Sequence, residues 1–304
     1  EEVARVASLT KLVGKPMTRA LPGVPKPILT PLQQREKAAR RQIAALGYNE
    51  CVTYSFIDQT AAALFGGGTD AVRVDNPISS EMSHLRPDLL PGLLRAAARN
   101  QARGFMDLAL FEVGPVFAGG EPGEQALQAT GLLIGAAAPR DPYGSRRPVD
   151  VFDAKADAEA VLAALGAPAK VQVSRKVAGW WHPGRSGVIG LGPNVLATFG
   201  EVHPRVLAAL DVKGPAVAFT VQVANVPMPK TKTPTKPALA ISDLQAVERD
   251  FAFVVDMGVE ALTLVNAAQG SDKVLIESVR VFDQFTGEKA EAQMGAGKKS
   301  IAFT

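Results

Sequence analysis

The chain has 304 residues, 47% of them hydrophobic and 21% charged, with a net charge of +3 at neutral pH. That length allows two domains with cores of their own, and the balance excludes a disordered or collagen-like chain. No apolar run approaches the roughly 18 residues of a membrane span, and so weak a positive charge does not by itself point to nucleic acid. No signal-peptide pattern is present, and the opening on Glu1 rather than Met marks the chain as part of a longer protein. Cys51 is the one cysteine, so no disulfide forms within the chain. A buried, inert thiol in a reducing, cytoplasmic setting is expected.

The first element opens at "TPLQQREKAARRQIAALGYNE". Thr30 caps, Pro31 suits the first turn, Gln33 completes a capping box and Gly47 ends the helix, with Leu32, Ala39, Ile43 and Leu46 as its apolar stripe. "CVTYSFID" then alternates Val52, Tyr54 and Phe56 with Thr53 and Ser55, which predicts a half-buried strand with the apolar set inward. Asp58 caps a short helix ending in Gly66 to Gly68, a glycine run without the Lys and Ser/Thr of a phosphate loop.

"NPISSEMSHLRPDLLPGLLRAAARN", residues 76–100, gathers serines, a histidine, an arginine and acids before a helix opened by a proline. Asn76-Pro77 predicts a turn, Ser79 or Ser80 a cap, and Leu89, Leu93 and Ala97 one packing face. Ser83, His84 and Asp88 would be the members of a hydrolytic triad. Three near neighbours on one segment seldom converge, and no nucleophile elbow is present, so packing is favoured over catalysis.

Strand-like runs follow at "DLALFEVGPVF" and "ALQATGLLIGA", a helix at "VFDAKADAEAVLAALG", then strands at "KVQVS", "SGVIGLG", "VLATFGEV" and "AVAFTVQV". No long helices separate these last strands, so the class is α+β with an antiparallel sheet. In "WWHPGRSG" a Pro-Gly turn is expected, with Arg185 bonding carbonyls, and His203 before Pro204 reads as a helix start. The spacing of His84, His182 and His203 suits no zinc site. "NVPMPKTKTPTKPALA" reads as an extended linker, and "ERDFAFVVD", "EALTLVNAAQG", "VLIESVRVFDQF" and "KKSIAFT" predict β-α-β-β, an incomplete ferredoxin-like module.

The blocks "LGYNECVTYSFID", "NPISSEMSHLRPDLLPGLLRAAARN", "LFEVGPVF", "WHPGRSG" and "FGEVHPRVLAALD" resemble, in order, the β subunit of bacterial phenylalanyl-tRNA synthetase. "AVERDFAFVVD", "ESVRVFDQFTGE" and "GKKSIAFT" resemble that subunit's anticodon-binding domain, with Ala246 and Glu248 departing from the family's proline and second arginine. The resemblance implies a boundary plan of 1–29 (end of a magnesium-binding domain), 30–224 (an inactive, class II synthetase-like catalytic domain), 225–242 (linker) and 243–304 (truncated anticodon-binding domain). It implies an α₂β₂ assembly with the α subunit, phenylalanine tRNA as a partner, no membrane, and ATP as substrate of the whole enzyme, with the chemistry in the α subunit.

No catalytic residue is expected in this chain. Activation of an amino acid by ATP needs cations at the α-phosphate, and Ala118 follows Phe117 where the family fold would carry an arginine. The resemblance also implies that Glu1 and Glu2 are half of a Mg²⁺ site, a donor set that suits a hard cation. Stacking and phosphate contacts to an anticodon loop would fall to Arg249, Lys298 and Lys299. Ending before a fourth strand would leave "RDFAFVVD" as an edge, with Phe251, Phe253 and Val255 uncovered. Two rival readings stand beside this one, a stand-alone RNA-binding or regulatory protein and a hydrolase built on Ser83 and His84.

Overall fold

A computed structural model describes residues 28–138, 141–144, 146–228, 238 and 243–304, and the chain divides into two units, Glu1–Lys232 and Thr233–Thr304. The architecture is α+β. In the first unit, helix α1 (Pro31–Ala45) has the expected capping box, with Thr30 Oγ1 accepting from Gln33 N at 3.2 Å and Gln33 Oε1 accepting from Thr30 N at 2.9 Å. Ala39 and Ile43 are buried as expected, whereas Leu32 and Leu46 at the ends of the stripe are exposed.

Strand β1 (Asn49–Glu50) is followed by β2 (Phe56–Ile57), helix α2 (Gln59–Leu64), β3 (His84–Leu85) and helix α3 (Leu90–Gln101). Then come β4 (Leu108–Phe117), β5 (Gln125–Ile134), helix α4 (Val151–Ala164), β6 (Gln172–Ser174), β7 (Trp181–Leu191), β8 (Asn194–Val202), helix α5 (Pro204–Ala209) and β9 (Ala216–Gln222). Seven strands form one sheet in the order β1-β4-β5-β9-β8-β7-β6, antiparallel except for the β1–β4 pair. The period of two sorts each strand between two cores. Phe111 and Val113 of β4, Ala129 of β5 and Phe219 of β9 meet α1 and α4 on one face. Leu110, Leu132 and Ala218 meet Leu90, Leu93, Leu94 and Ala97 of α3 on the other.

The expected strand over "CVTYSFID" is corrected. Pairing with β4 stops at Glu50, and Val52 (92% exposed), Tyr54 (73%) and Phe56 (42%) face solvent. The alternation is real but its inward face is inverted, because Thr53 is the side chain with partners inside. Cys51 is half-buried, and burial raises its thiol pKa.

The second unit holds β10 (Phe251–Asp256), helix α6 (Ala261–Ser271), β11 (Val281–Phe285), helix α7 (Glu288–Met294) and β12 (Lys298–Phe303). The expected β-α-β-β order gains a short helix before its last strand, and β11 is shorter than "VLIESVRVFDQF" suggested. The sheet order β10-β12-β11 makes β10 an edge, with Phe251 and Phe253 about half exposed and Val255 half-buried.

Candidate functional site

The helix start in the stretch 76–100 is built differently from the expectation. Ser79 precedes a single 3₁₀ turn, Ser80–Met82, and makes no cap bond. Asp88 takes the capping role for α3, since its Oδ1 accepts from Leu90 N at 2.9 Å, two residues ahead and within reach of an orphan helical N–H. Asp88 is fully buried, and burial pushes its pKa up to about 6 against the lowering effect of Leu90 N–H, the Gln128 side chain, Leu89 N–H and Arg86.

Beside it lies a buried ion pair, Arg86 Nη1 to Glu112 Oε1 at 2.7 Å, with both residues under 5% exposed. Arg86 Nε also donates to Pro115 O at 3.0 Å, and Nη1 to Thr53 Oγ1 at 3.0 Å, while Thr53 Oγ1 donates to Glu112 Oε2 at 2.6 Å. Gly114 leaves room for this guanidinium, because a Cβ at that position would stand 2.8 Å from Arg86 Nη2 and one of the two would have to shift. Further along the same sheet face, Thr130 and Thr220 share a hydrogen bond at 3.1 Å. The buried polar side chains of this cluster are thus bonded to one another or to main-chain carbonyls. Sequence reasoning passed over Glu112 and Thr53. The available signal was a lone acid inside the apolar strand "LFEV" together with a lone arginine in "HLRPD", each in surroundings that demand a partner.

The triad does not assemble. Ser83 Oγ lies 2.9 Å from His84 Nδ1, but Asp88 is committed to Leu90 N and Gln128, and His84 Nε2 is buried with no partner among the described residues. In "WWHPGRSG" the residues from Trp181 on run within β7, whose pairing with β8 is irregular between Trp181 and Ser186. Arg185 there bonds a carboxylate, not carbonyls, through a two-point contact with Glu201 that includes Nη2 to Oε1 at 2.9 Å. His203 opens α5 as expected, with Nδ1 accepting from Arg205 N. Ala118 stands at the mouth of the β4–β5 hairpin, its N–H donating to Glu124 O at 2.9 Å, and its methyl group supplies no charge there.

Outside this cluster a cleft of about 660 Å³ runs between the residues around Tyr54 and α3, lined by Val52, Tyr54, Phe56, Met82, Arg95 and Arg99 among others. Arg95 pairs with Asp58, and burial and Arg99 lower the Arg95 pKa. An apolar ridge bordered by guanidinium groups is the composition of a protein-docking surface.

In the second unit, Arg249 is exposed and its Nη1 bonds Glu248 O at 2.9 Å. Lys298 pairs with Asp256 at 2.5 Å and lowers that carboxyl's pKa. Lys299 is 7% exposed and lies with Ile301 and Phe303 on the buried side of β12, so the two lysines project to opposite faces of the sheet. Glu1 and Glu2 lie outside the described residues, as does most of the linker expected at 225–242. Among the described residues no group of His, Cys, Asp and Glu has the arrangement of a metal site, and no helix is long and apolar enough to cross a membrane.

A family model described as the phenylalanyl tRNA synthetase beta chain CLM domain matches residues 17–223, and one described as the ferredoxin-fold anticodon binding domain matches residues 242–304. The chain is similar to the phenylalanine–tRNA ligase beta subunit of Cereibacter sphaeroides, 83% identical over 304 residues, which is 100% of this chain and 38% of that protein. The beta subunits of Ruegeria pomeroyi and Rhodospirillum rubrum are 69% and 48% identical, again over 100% of this chain and 38% of theirs. The chain therefore spans 38% of the length of these relatives.

Proposed function

The chain belongs to the phenylalanyl-tRNA synthetase β-chain family, and from that premise we propose that it is the scaffolding and anticodon-binding section of a phenylalanine–tRNA ligase β subunit. In this reading the intact ligase is an α₂β₂ assembly that joins phenylalanine to its tRNA using ATP. The α subunit carries the chemistry, and Mg²⁺ would be held in part by Glu1 and Glu2.

The observation that carries the scaffold role is the filled sheet face. Glu112, Thr130 and Thr220 are buried and hydrogen-bonded within the chain, Gln128 is buried with its side chain bonded to Asp88, and Ala118 offers no cation where negative charge would build up on a phosphate. The exposed ridge Val52, Tyr54 and Phe56, with Arg99 at its border, is the surface the α subunit would cover, with a carboxylate of that subunit meeting Arg99. Arg249 and Lys298 are the proposed phosphate contacts of the second unit, and Lys299 is proposed to join them only where its stem lets the ammonium reach the rim.

Phenylalanine-dependent exchange of pyrophosphate into ATP tests the division of labour. The chain alone is expected to give none, and the α subunit with full-length β subunit to give full exchange; exchange above background in α-free chain would overturn the scaffold reading. A stand-alone RNA-binding role is separated from this one by pull-down, since it requires no stoichiometric α subunit.

A further inference from the structure

The β1–β4 ladder ends abruptly. Cys51 N donates to Phe111 O at 2.7 Å, and beyond that bond the residues 52–55 make no ladder pair with β4. What stands between them is Arg86. Its N–H donates to Ser55 O at 2.9 Å, and its carbonyl accepts from Phe117 N at 3.0 Å. Its guanidinium spans the same gap, reaching Thr53 Oγ1 and Thr53 O on one side and Glu112 Oε1 and Pro115 O on the other. One residue thus replaces a stretch of main-chain ladder with a fork of directed donors. Gly92 and Gly114 are the positions that let it fit, because a Cβ on either would collide with Thr53 Oγ1 or with Arg86 Nη2.

We infer that Arg86 is a clamp that sets the register of residues 52–55 and thereby turns Val52, Tyr54 and Phe56 outward. Anchoring Thr53 inward forces its neighbours at a period of two to the opposite side, which explains why the apolar set is exposed and the polar one is not. In an ordinary ladder the alternation would favour the register, one residue away, that buries the apolar set. The clamp prevents it, because slipping would strand Glu112 and the guanidinium without partners in a dry interior. Arg86 is therefore a positioning residue for the ridge. Where the ridge is taken as the α-subunit surface, the clamp rests on the reading given under Proposed function; the register itself does not.

The test uses the full-length subunit and reads amide hydrogen exchange at Cys51, whose N–H makes the last bond of the ladder before the gap, and at Phe117, whose N–H donates to the Arg86 carbonyl. Arg86→Lys keeps a cation beside Glu112 but cannot reach Thr53 and Pro115 at once, so exchange at both amides is expected to rise about tenfold or more while α4 is unchanged. Arg86→Ala is expected to show a larger rise. Guanidinium ion, added far below unfolding concentrations, should reverse it, whereas ammonium should not. If Arg86→Ala fails to fold, recovery of its fold with guanidinium supports the clamp and no recovery counts against it. Unchanged exchange in Arg86→Lys overturns the proposal. Binding of the α subunit is measured in parallel: if the wild-type subunit does not bind it, the functional reading fails while the exchange result still decides the clamp.

Discussion

The two units use apolar residues in opposite ways. In the first, a seven-stranded sheet has helices on both faces, and Phe111, Phe219, Trp181 and the leucines of α3 are almost wholly buried. In the second, α6 buries none of its residues, Ala290, Lys299, Ile301 and Phe303 are the buried positions among the described residues, and the rings of Phe251 and Phe253, which meet buried Phe303, stay about half open to solvent. Burial of apolar area is the main stabilising term in folding. The same residue types should therefore carry large energies in one unit and small ones in the other.

The largest break in that comparison is Leu93→Asp. It places an unpaired carboxylate in the core between α3 and the sheet, and is expected to cost the first unit more than about 4 kcal/mol while leaving the second unaffected. Both tryptophans lie in the first unit, so urea unfolding followed by tryptophan fluorescence reads it alone. Exchange at β10 and β12 reads the other; equal losses in both would end the picture of separate cores.

A matched pair sharpens the contrast next. Phe219→Ala is expected to cost about 3–5 kcal/mol, since the ring is fully buried and packs edge-on against Tyr48 at 5.9 Å. Phe253→Ala, at a site 45% exposed, should cost about 1 kcal/mol or less. Similar losses at the two sites would mean that the second unit has a cover for its rings.

The third prediction concerns pH. Asp88 has a folded-state pKa of about 6 against an ordinary value of 3.8, so its contribution is present below about pH 4 and is lost as pH rises through about 6. The gap between those two values corresponds to roughly 3 kcal/mol across that window. Asp88→Asn can still accept from Leu90 N and has no charge to desolvate. The stability difference between wild type and Asp88→Asn is expected to move in favour of the variant between pH 4 and pH 7, in the fluorescence of the first unit only. A pH-independent difference would show that burial does not govern this carboxyl. The smallest effect is expected at Asp211, whose φ of 53° is left-handed: Asp211→Gly should stabilise the first unit by about 0.5 kcal/mol, and a loss would mean that the side chain does more than tolerate its backbone.

Local signals carried far in this protein. Thr30, Pro31 and Gln33 define the start of α1, Asp58 that of α2 and His203 that of α5, because a cap is a bond between residues two or three apart and needs no distant partner. The antiparallel class was legible for the same reason, from strand-length runs punctuated by turns. What local patterns could not decide was direction. "CVTYSFID" alternates cleanly, yet which half of the alternation faces inward depends on Glu112 and Arg86, which lie 59 and 33 positions from Thr53 and meet it only in the folded chain. Asp88 likewise looked like a triad member, and became a helix cap once α3 placed Leu90 N against its carboxylate. Lys298 and Lys299 read as one basic pair, but a pleated strand sends neighbours to opposite faces, and the partners across β12 determine which of the two is covered. Residue type and spacing determined where the elements are and how they begin. Only the tertiary structure decided which side of each is wet, because that depends on the desolvation of particular charges by residues remote in sequence.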